Sequence, residues 1–244
     1  MAQVSIIIPV LNEARCLKRT LRCLEILDPS PHEIIVVDGG STDETVAIAT
    51  RSSVQVVTTD QQGRAVQMNR GAELSRGDSL CFLHGDTVVP DDLIDIITKT
   101  LQNPDIACGG FISVMAGLQT TRWGITLHNS IKTHYAPLLF RPHLYFLKGL
   151  RILFGDQAMF CRRSDFWACG GFDASLPIME DADLCERLGQ LGRIYQVNRT
   201  VQCSDRRVAQ LGAFKANLIY LLIGYGWAMG VPATRLKQLY DDIR

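Results

Sequence analysis

The apolar run Leu80-Cys81-Phe82-Leu83 stops abruptly at His84-Gly85-Asp86-Thr87, where the side chains turn polar. That pattern predicts a carboxylate at the C-terminal end of a buried strand. In open α/β sheets ligands collect at this edge, and Gly85, lacking a β-carbon, lets another group approach the backbone. Asp86 suits a hard divalent cation there, with His84 as a second ligand. A plainer role fits equally: Asp86 and Thr87 capping a turn before a helix that begins near Pro90. Asp38 is placed in the same way, between an apolar run over residues 33–37 and Gly39-Gly40. A further group, Glu180-Asp181-Ala182-Asp183, opens a helix carrying Leu184, Leu188 and Leu191. Negative charge suits a helix N-terminus, so not all of these carboxylates need do chemistry.

The elements that must position them alternate strand and helix. Residues 4–8 form a continuous β-branched run before Pro9, and Asn12-Glu13 opens a helix with Leu17, Leu21 and Leu24 at helical spacing. After the strand at 33–37, Ser41-Thr42-Asp43-Glu44 has the capping-box pattern, which predicts Ser41 as N-cap. A third strand is expected at 54–57, a helix at 64–74, a fourth strand at 80–83, and a helix at 91–101 with Leu93, Ile96, Ile97 and Leu101 on one face. The pattern predicts a mostly parallel sheet with helices on both faces. Residues 106–114 contain a strand, whereas 115–150 show no sustained period and read as a long irregular stretch that could cover a site. His128, His134 and His143 fall there without ligand spacing and read as surface or loop histidines. Order returns with a strand at 157–161 and a short helix capped by Ser164 and ended by Gly170-Gly171.

At 244 residues the chain can bury a large core, and Lys plus Arg equal Asp plus Glu at 25 each. No overall basic field recruits nucleic acid, so partners must be recognised locally. The eight cysteines lack C-x-x-C spacing and several lie in apolar runs. Buried free thiols in a reducing cytosol are the expectation, and the N-terminus lacks signal-peptide features. The Gly-rich turns match neither G-x-G-x-x-G nor the Walker pattern, which argues against nicotinamide dehydrogenases and P-loop NTPases. Residues 218–231, LIYLLIGYGWAMGV, are 14 in number, short of the ~20 that span a bilayer. They are expected to form a core or subunit-interface helix, with an interfacial membrane helix as the alternative.

Five segments in order carry a family resemblance: residues 6–13 (IIIPVLNE), 36–43 (VVDGGSTD), 82–86 (FLHGD), 170–173 (GGFD) and Glu180-Asp181. Together they resemble family 2 glycosyltransferases, inverting enzymes of the GT-A fold, over residues 4 to about 195. Residues 63–69 with 83–87 resemble a bacterial subgroup of small, stand-alone members. The resemblance implies a GT-A-like three-layer α/β/α sandwich with a mostly parallel mixed central sheet and a helical C-terminal segment. Its expected parts are a glycosyltransferase domain over 1–205, comprising a nucleotide-binding half at 1–103 and an acceptor-binding half at 104–205, and a C-terminal helical segment at 206–244.

The resemblance also implies roles. Pro9, Leu11, Glu13 and Asp38 would line the nucleotide pocket, with Asp38 accepting from the base; a carboxylate can accept from uracil N3–H. Arg64 would face the nucleotide. Asp86 matches the last carboxylate of the family's D-x-D motif and would hold Mn²⁺ or Mg²⁺ against the donor diphosphate. His84 departs from that motif, and imidazole shifts the preference towards Mn²⁺. Asp181 matches the catalytic base, with Glu180 beside it, and Asp156 and Gln157 would lie near the acceptor. Arg206 and Arg207 would steady the leaving diphosphate, or are a solvated pair. The expected activity is sugar transfer from a nucleotide diphosphate sugar, most simply a UDP-sugar, to a saccharide, lipid-linked or small-molecule hydroxyl acceptor in the cytoplasm or at the inner face of the membrane. A nucleotidyltransferase acting on a sugar phosphate is the rival, although the 9–13 loop lacks its usual basic residues. A silent nucleotide-sugar-binding protein of the same fold is the third reading, and the intact Asp38, Asp86 and Asp181 argue against it.

Overall fold

A computed structural model describes residues 3–117, 121–206, 209 and 212–242. Its seven-stranded sheet has the order β3-β2-β1-β4-β6-β5-β7. The strands are β1 (Val4–Val10), β2 (Glu33–Asp38), β3 (Gln55–Thr58), β4 (Ser79–Phe82), β5 (Ile106–Ala116), β6 (Met159–Arg162) and β7 (Arg193–Ser204). Strand β6 runs antiparallel to β4 and β5, while the other pairings are parallel, giving the mixed, mostly parallel sheet expected.

Alternation along β1 explains the layering. Ile6, Ile8 and Val10 point to one face, where they meet Leu17, Leu21 and Leu24 of α1 (Ala14–Glu25), Ala49 of α2 (Thr45–Thr50) and Leu93 and Ile97 of α4 (Leu93–Leu101). Ile7 points to the other. There it joins Met68 and Ala72 of α3 (Arg64–Leu74), Phe166 of α7 (Arg163–Ala168) and Leu184 and Leu188 of α8 (Glu180–Leu191). Two apolar layers therefore enclose one sheet, and strands from both halves of the chain share it. The eight cysteines are free thiols, five of them buried.

Three local expectations are corrected. The capping box at 41–44 does not form: α2 begins at Thr45 with Glu44 as a cap that makes no side-chain bond. Ser41 Oγ instead accepts from the Asn12 N–H, because the β1–α1 turn approaches the same loop. Ser164 lies inside α7, whose N-cap is Arg162. The stretch read as irregular is largely helical, forming α5 (Trp123–Phe140) and α6 (Pro142–Lys148). In α5 the pattern is inverted: Trp123, Leu127, Ile131 and Leu138 are exposed while Thr126 and Thr133 are buried, so no inward apolar stripe advertises the helix. Strand β7 escaped the sequence reading. Its buried residues are sparse and divided between the two layers, Ile194 on one face and Val197, Val201 and Cys203 on the other, and the register with β5 shifts between Gly110 and Ile112.

The C-terminal apolar run lies in α9 (Ala213–Ala228), which packs on α10 (Ala233–Asp242) and α5. It is apolar on two faces. Ala216, Ile219 and Ile223 are buried, as the core-helix expectation requires, whereas Phe214, Leu218, Leu221, Leu222 and Tyr225 remain exposed on an arc of about 100°. No helix among the described residues is long and apolar enough to cross a membrane.

Candidate active site

The C-terminal edge of the sheet gathers most of the expected residues. Asp38 ends β2 and is 2% exposed. Its Oδ2 accepts from the N–H groups of Gly40 and Ser41, both at 3.0 Å, which folds the Gly39–Ser41 turn around the carboxylate. Gln67 of α3 donates through Nε2 to the carbonyls of Val10 and Val37 at 2.8 and 2.7 Å, tying the ends of β1 and β2 together. The loop after β2 also caps α1. Ser41 Oγ, Thr45 Oγ1 and Asp43 Oδ2 accept from the N–H groups of Asn12, Glu13 and Ala14, and Asn12 Oδ1 accepts from Thr42 N–H. The Glu13 and Ala14 N–H groups are donors that a helix start leaves without intrahelical partners. Asn12 takes a left-handed conformation, φ 56°, to present both its groups. Pro9 is buried in β1, and Leu11 stands exposed at the rim of this edge.

Asp86 follows β4 and lies beside Arg206, 3.3 Å away, and Arg206 also pairs with Glu13 at 2.6 Å. The C-terminal segment therefore reaches back to the carboxylates that follow β1 and β4. Arg207 lies outside the described residues. His84 Nε2 is 2.9 Å from Arg64 Nη1, and a guanidinium can only donate, so that nitrogen accepts here. Among the described residues no group of three or more His, Cys, Asp or Glu side chains is gathered for a metal. Asp86 alone, partly exposed, still fits a hard cation whose other ligands are phosphate oxygens and water.

Arg64 does not stand free towards a nucleotide. Its Nε meets Glu180 Oε1 at 2.6 Å, so one guanidinium links the end of β4 to the start of α8. Glu180 is 2% exposed, and no described group bonds its Oε2. Asp183 turns to Arg187. Asp181, 6% exposed, accepts at Oδ2 from the Gly155 N–H at 2.8 Å. Burial, then the charge of Glu180, pushes the Asp181 carboxyl up to about 7 against the pull of Arg64 and of the Gly155 N–H. The residue before the helix, Met179, has φ 68°, a left-handed conformation that turns the chain into α8.

Gly155 was not foreseen. It lies in a 3₁₀ turn, Gly155–Gln157, where a β-carbon would sit 2.4 Å from His84 Nε2 and 3.0 Å from Asp181 Oδ2. Only a residue without a side chain lets β4, the turn and α8 meet there. Asp156 projects from the same turn and is partly buried. Gln157 is wholly buried, accepting from Phe154 N–H and bonding Thr133 of α5, so it shapes the turn.

A family model, Glycosyl transferase family 2, matches residues 5–169. The chain belongs to glycosyl transferase family 2. Succinoglycan biosynthesis protein ExoA of Rhizobium meliloti is 31% identical over 206 residues, covering 80% of this chain and 61% of that protein. A PGL/p-HBAD biosynthesis glycosyltransferase of Mycobacterium bovis is 40% identical over 186 residues, covering 73% of this chain and 66% of its own length. The matched region thus spans less than two thirds of either relative. Among solved structures, glucosyl-3-phosphoglycerate synthase of Mycobacterium tuberculosis, in complex with Mn²⁺, UDP and phosphoglyceric acid, aligns with TM-score 0.65 at 22% identity over 95% of this chain and 80% of that one. The mannosyltransferase PcManGT of Pyrobaculum calidifontis, in complex with GDP-Man and Mn²⁺, aligns with TM-score 0.69 at 19% identity over 93% and 64%. This family 2 glycosyltransferase therefore has the GT-A fold expected of it.

The packing around Gly155 yields a direct expectation for the family 2 enzyme. Gly155→Ala must displace His84 or Asp181, so kcat should fall at least about tenfold while UDP binding holds. Steady-state kinetics beside UDP calorimetry checks this, and an unchanged kcat would show that the close approach is unimportant.

Proposed function

We propose that this glycosyltransferase moves a sugar from a UDP-sugar to a hydroxyl acceptor with inversion at the anomeric carbon, Asp181 acting as general base. The supporting observation is one buried carboxylate, held by the Gly155 N–H, at the sheet edge that also bears Asp38, Asp86 and Arg206. Direct displacement requires the acceptor hydroxyl to lose its proton as it attacks opposite the leaving diphosphate, and one base suffices. With its carboxyl raised to about 7, Asp181 is matched to accept a proton near neutrality.

The other residues bind and orient. Asp38 Oδ1 takes only a long contact, 3.3 Å, from the Ser41 N–H and keeps a lone pair for the uracil N3–H. Pro9, Leu11 and Glu13 would flank the nucleotide in the half formed by residues 1–103. Arg206, with Arg207, would turn from Asp86 to the diphosphate oxygens as a charge-assisted donor. A Mn²⁺ or Mg²⁺ ion held by Asp86 and the diphosphate would supply further positive charge to the leaving group. Arg64 pairs with Glu180 and offsets part of the charge that Glu180 places beside the base. Asp156 borders the acceptor side, in the half formed by residues 104–205.

Turnover of UDP-sugars with Mn²⁺ tests the reading: free UDP is the expected product, and pyrophosphate from a sugar phosphate and UTP would instead mark a nucleotidyltransferase. In the same assay kcat/KM should climb with pH and level off above about 7, because only the deprotonated Asp181 accepts a proton. A profile that stays flat between about pH 5 and 8 would remove Asp181 from that role.

A further inference from the structure

Lys132, on α5, had no place in the sequence reading. Its Nζ lies 3.8 Å from the centroid of the Phe154 ring and 5.7 Å from that of Tyr220. Phe154 leads directly into the 3₁₀ turn whose Gly155 N–H holds Asp181. The neighbouring Thr133 is wholly buried and bonds Gln157 of that turn, so the α5 segment carrying Lys132 is anchored on the segment that positions the base. Among the described residues no carboxylate reaches ion-pair distance of Lys132. Asp156 and Asp181 act on it from farther away.

An ammonium group set against aromatic faces, partly withdrawn from water and lacking a close counter-ion, is incompletely compensated. We propose that Lys132 receives an anionic group on the acceptor, so that the acceptor class is a hydroxyl compound bearing a phosphate or a similar anion. This rests on the reading of Asp181 as the base, since that residue marks the acceptor side. Asp156 and Asp181 stand on this side of the site and would otherwise repel an anion, and Lys132 is the group that makes one acceptable there. The anion is held at Lys132 while a hydroxyl elsewhere on the molecule is presented to Asp181. A purely neutral acceptor would leave the ammonium as it now stands. Burial lowers the Lys132 pKa while Asp156 and Asp181 pull it back, which agrees with a cation short of partners.

The test is calorimetry on the full chain with saturating UDP and EDTA, using inorganic phosphate and glycerol 3-phosphate as probes and glycerol as the neutral twin. Wild type should bind the two anions and not glycerol. Lys132→Met, which keeps the stem against Phe154, should weaken them by about tenfold or more, and Lys132→Arg should stay within about threefold. UDP affinity, unchanged in both variants, reports that each is folded. A parallel flotation arm with phosphatidylglycerol and phosphatidylcholine vesicles locates the source of the anion. Lysine-dependent binding to phosphatidylglycerol alone would place the phosphate on a lipid, and response to the soluble probes would place it on a small molecule. The proposal is overturned if neither arm shows anion binding, or if Lys132→Met binds as well as wild type. Failure of every form to bind UDP would count against the donor reading, and the anion arms would still judge Lys132.

Discussion

Asp181→Asn should lower kcat by roughly 10²–10⁴ while leaving UDP affinity nearly unchanged. Asparagine keeps the shape, and its Oδ1 can still accept from the Gly155 N–H, so the turn and α8 stay in place. What disappears is the proton acceptor. The variant should also be more stable than wild type in alkaline buffer. The folded-state pKa is raised, from 3.8 to about 7, so the carboxyl's favourable contribution is complete below the unfolded value and is lost as pH rises through the folded one. Above about 7 the wild type must bury a charge that the amide variant lacks, and the gain in Tm should shrink towards acid. If Asp181 merely favoured the α8 N-terminus, removing its charge would cost a little stability and spare activity. Turnover within about threefold of wild type, measured with the true acceptor, would sink the assignment.

The second large effect separates base recognition from the metal. Asp86→Ala should abolish the enhancement of UDP binding by Mn²⁺ and leave the weaker binding in EDTA nearly intact. Asp38→Ala should weaken UDP in both conditions, by about 10- to 100-fold if one charge-assisted hydrogen bond to the base is lost. The geometry adds that Asp38→Ala also frees the N–H groups of Gly40 and Ser41. Asp38→Asn, which can still accept from that turn, isolates the contribution to the base. Calorimetry of the three variants with and without Mn²⁺ decides between the roles, and equal losses in all conditions would mean they are wrongly divided.

The elements that position Asp38 and Asp86 were legible because buried parallel strands read as unbroken β-branched or apolar runs and stop where the chain turns polar. The helices of one face were equally legible, since Leu17, Leu21 and Leu24 repeat at the spacing of a single apolar stripe. Elements whose environment inverts the usual pattern were not. Helix α5 hides Thr126 and Thr133 and shows Trp123 and Leu127 to solvent, and Pro137 near its end argues against a helix at all. At the site, residue identity was readable but partnership was not. Gly155 and Asp181 are 26 residues apart and meet only because β6, α7 and the turn before α8 return the chain to β4. The pairing of Arg64 with Glu180 and His84 joins three segments that no local motif connects. Ser41 illustrates the limit of local motifs: its hydroxyl serves a residue 29 positions away, where a neighbour in space outcompeted the neighbour in sequence.

That loop has a consequence for dynamics. With Asn12, Glu13 and Ala14 donating to Ser41, Thr45 and Asp43, two segments that would otherwise fray are cross-braced before any ligand arrives. Their amide protons should therefore exchange with deuterium slowly for surface turns, on the schedule of the sheet rather than of the loops. A nucleotide entering between them would find its walls already ordered, so little conformational entropy is surrendered on binding and more of the contact energy appears as affinity.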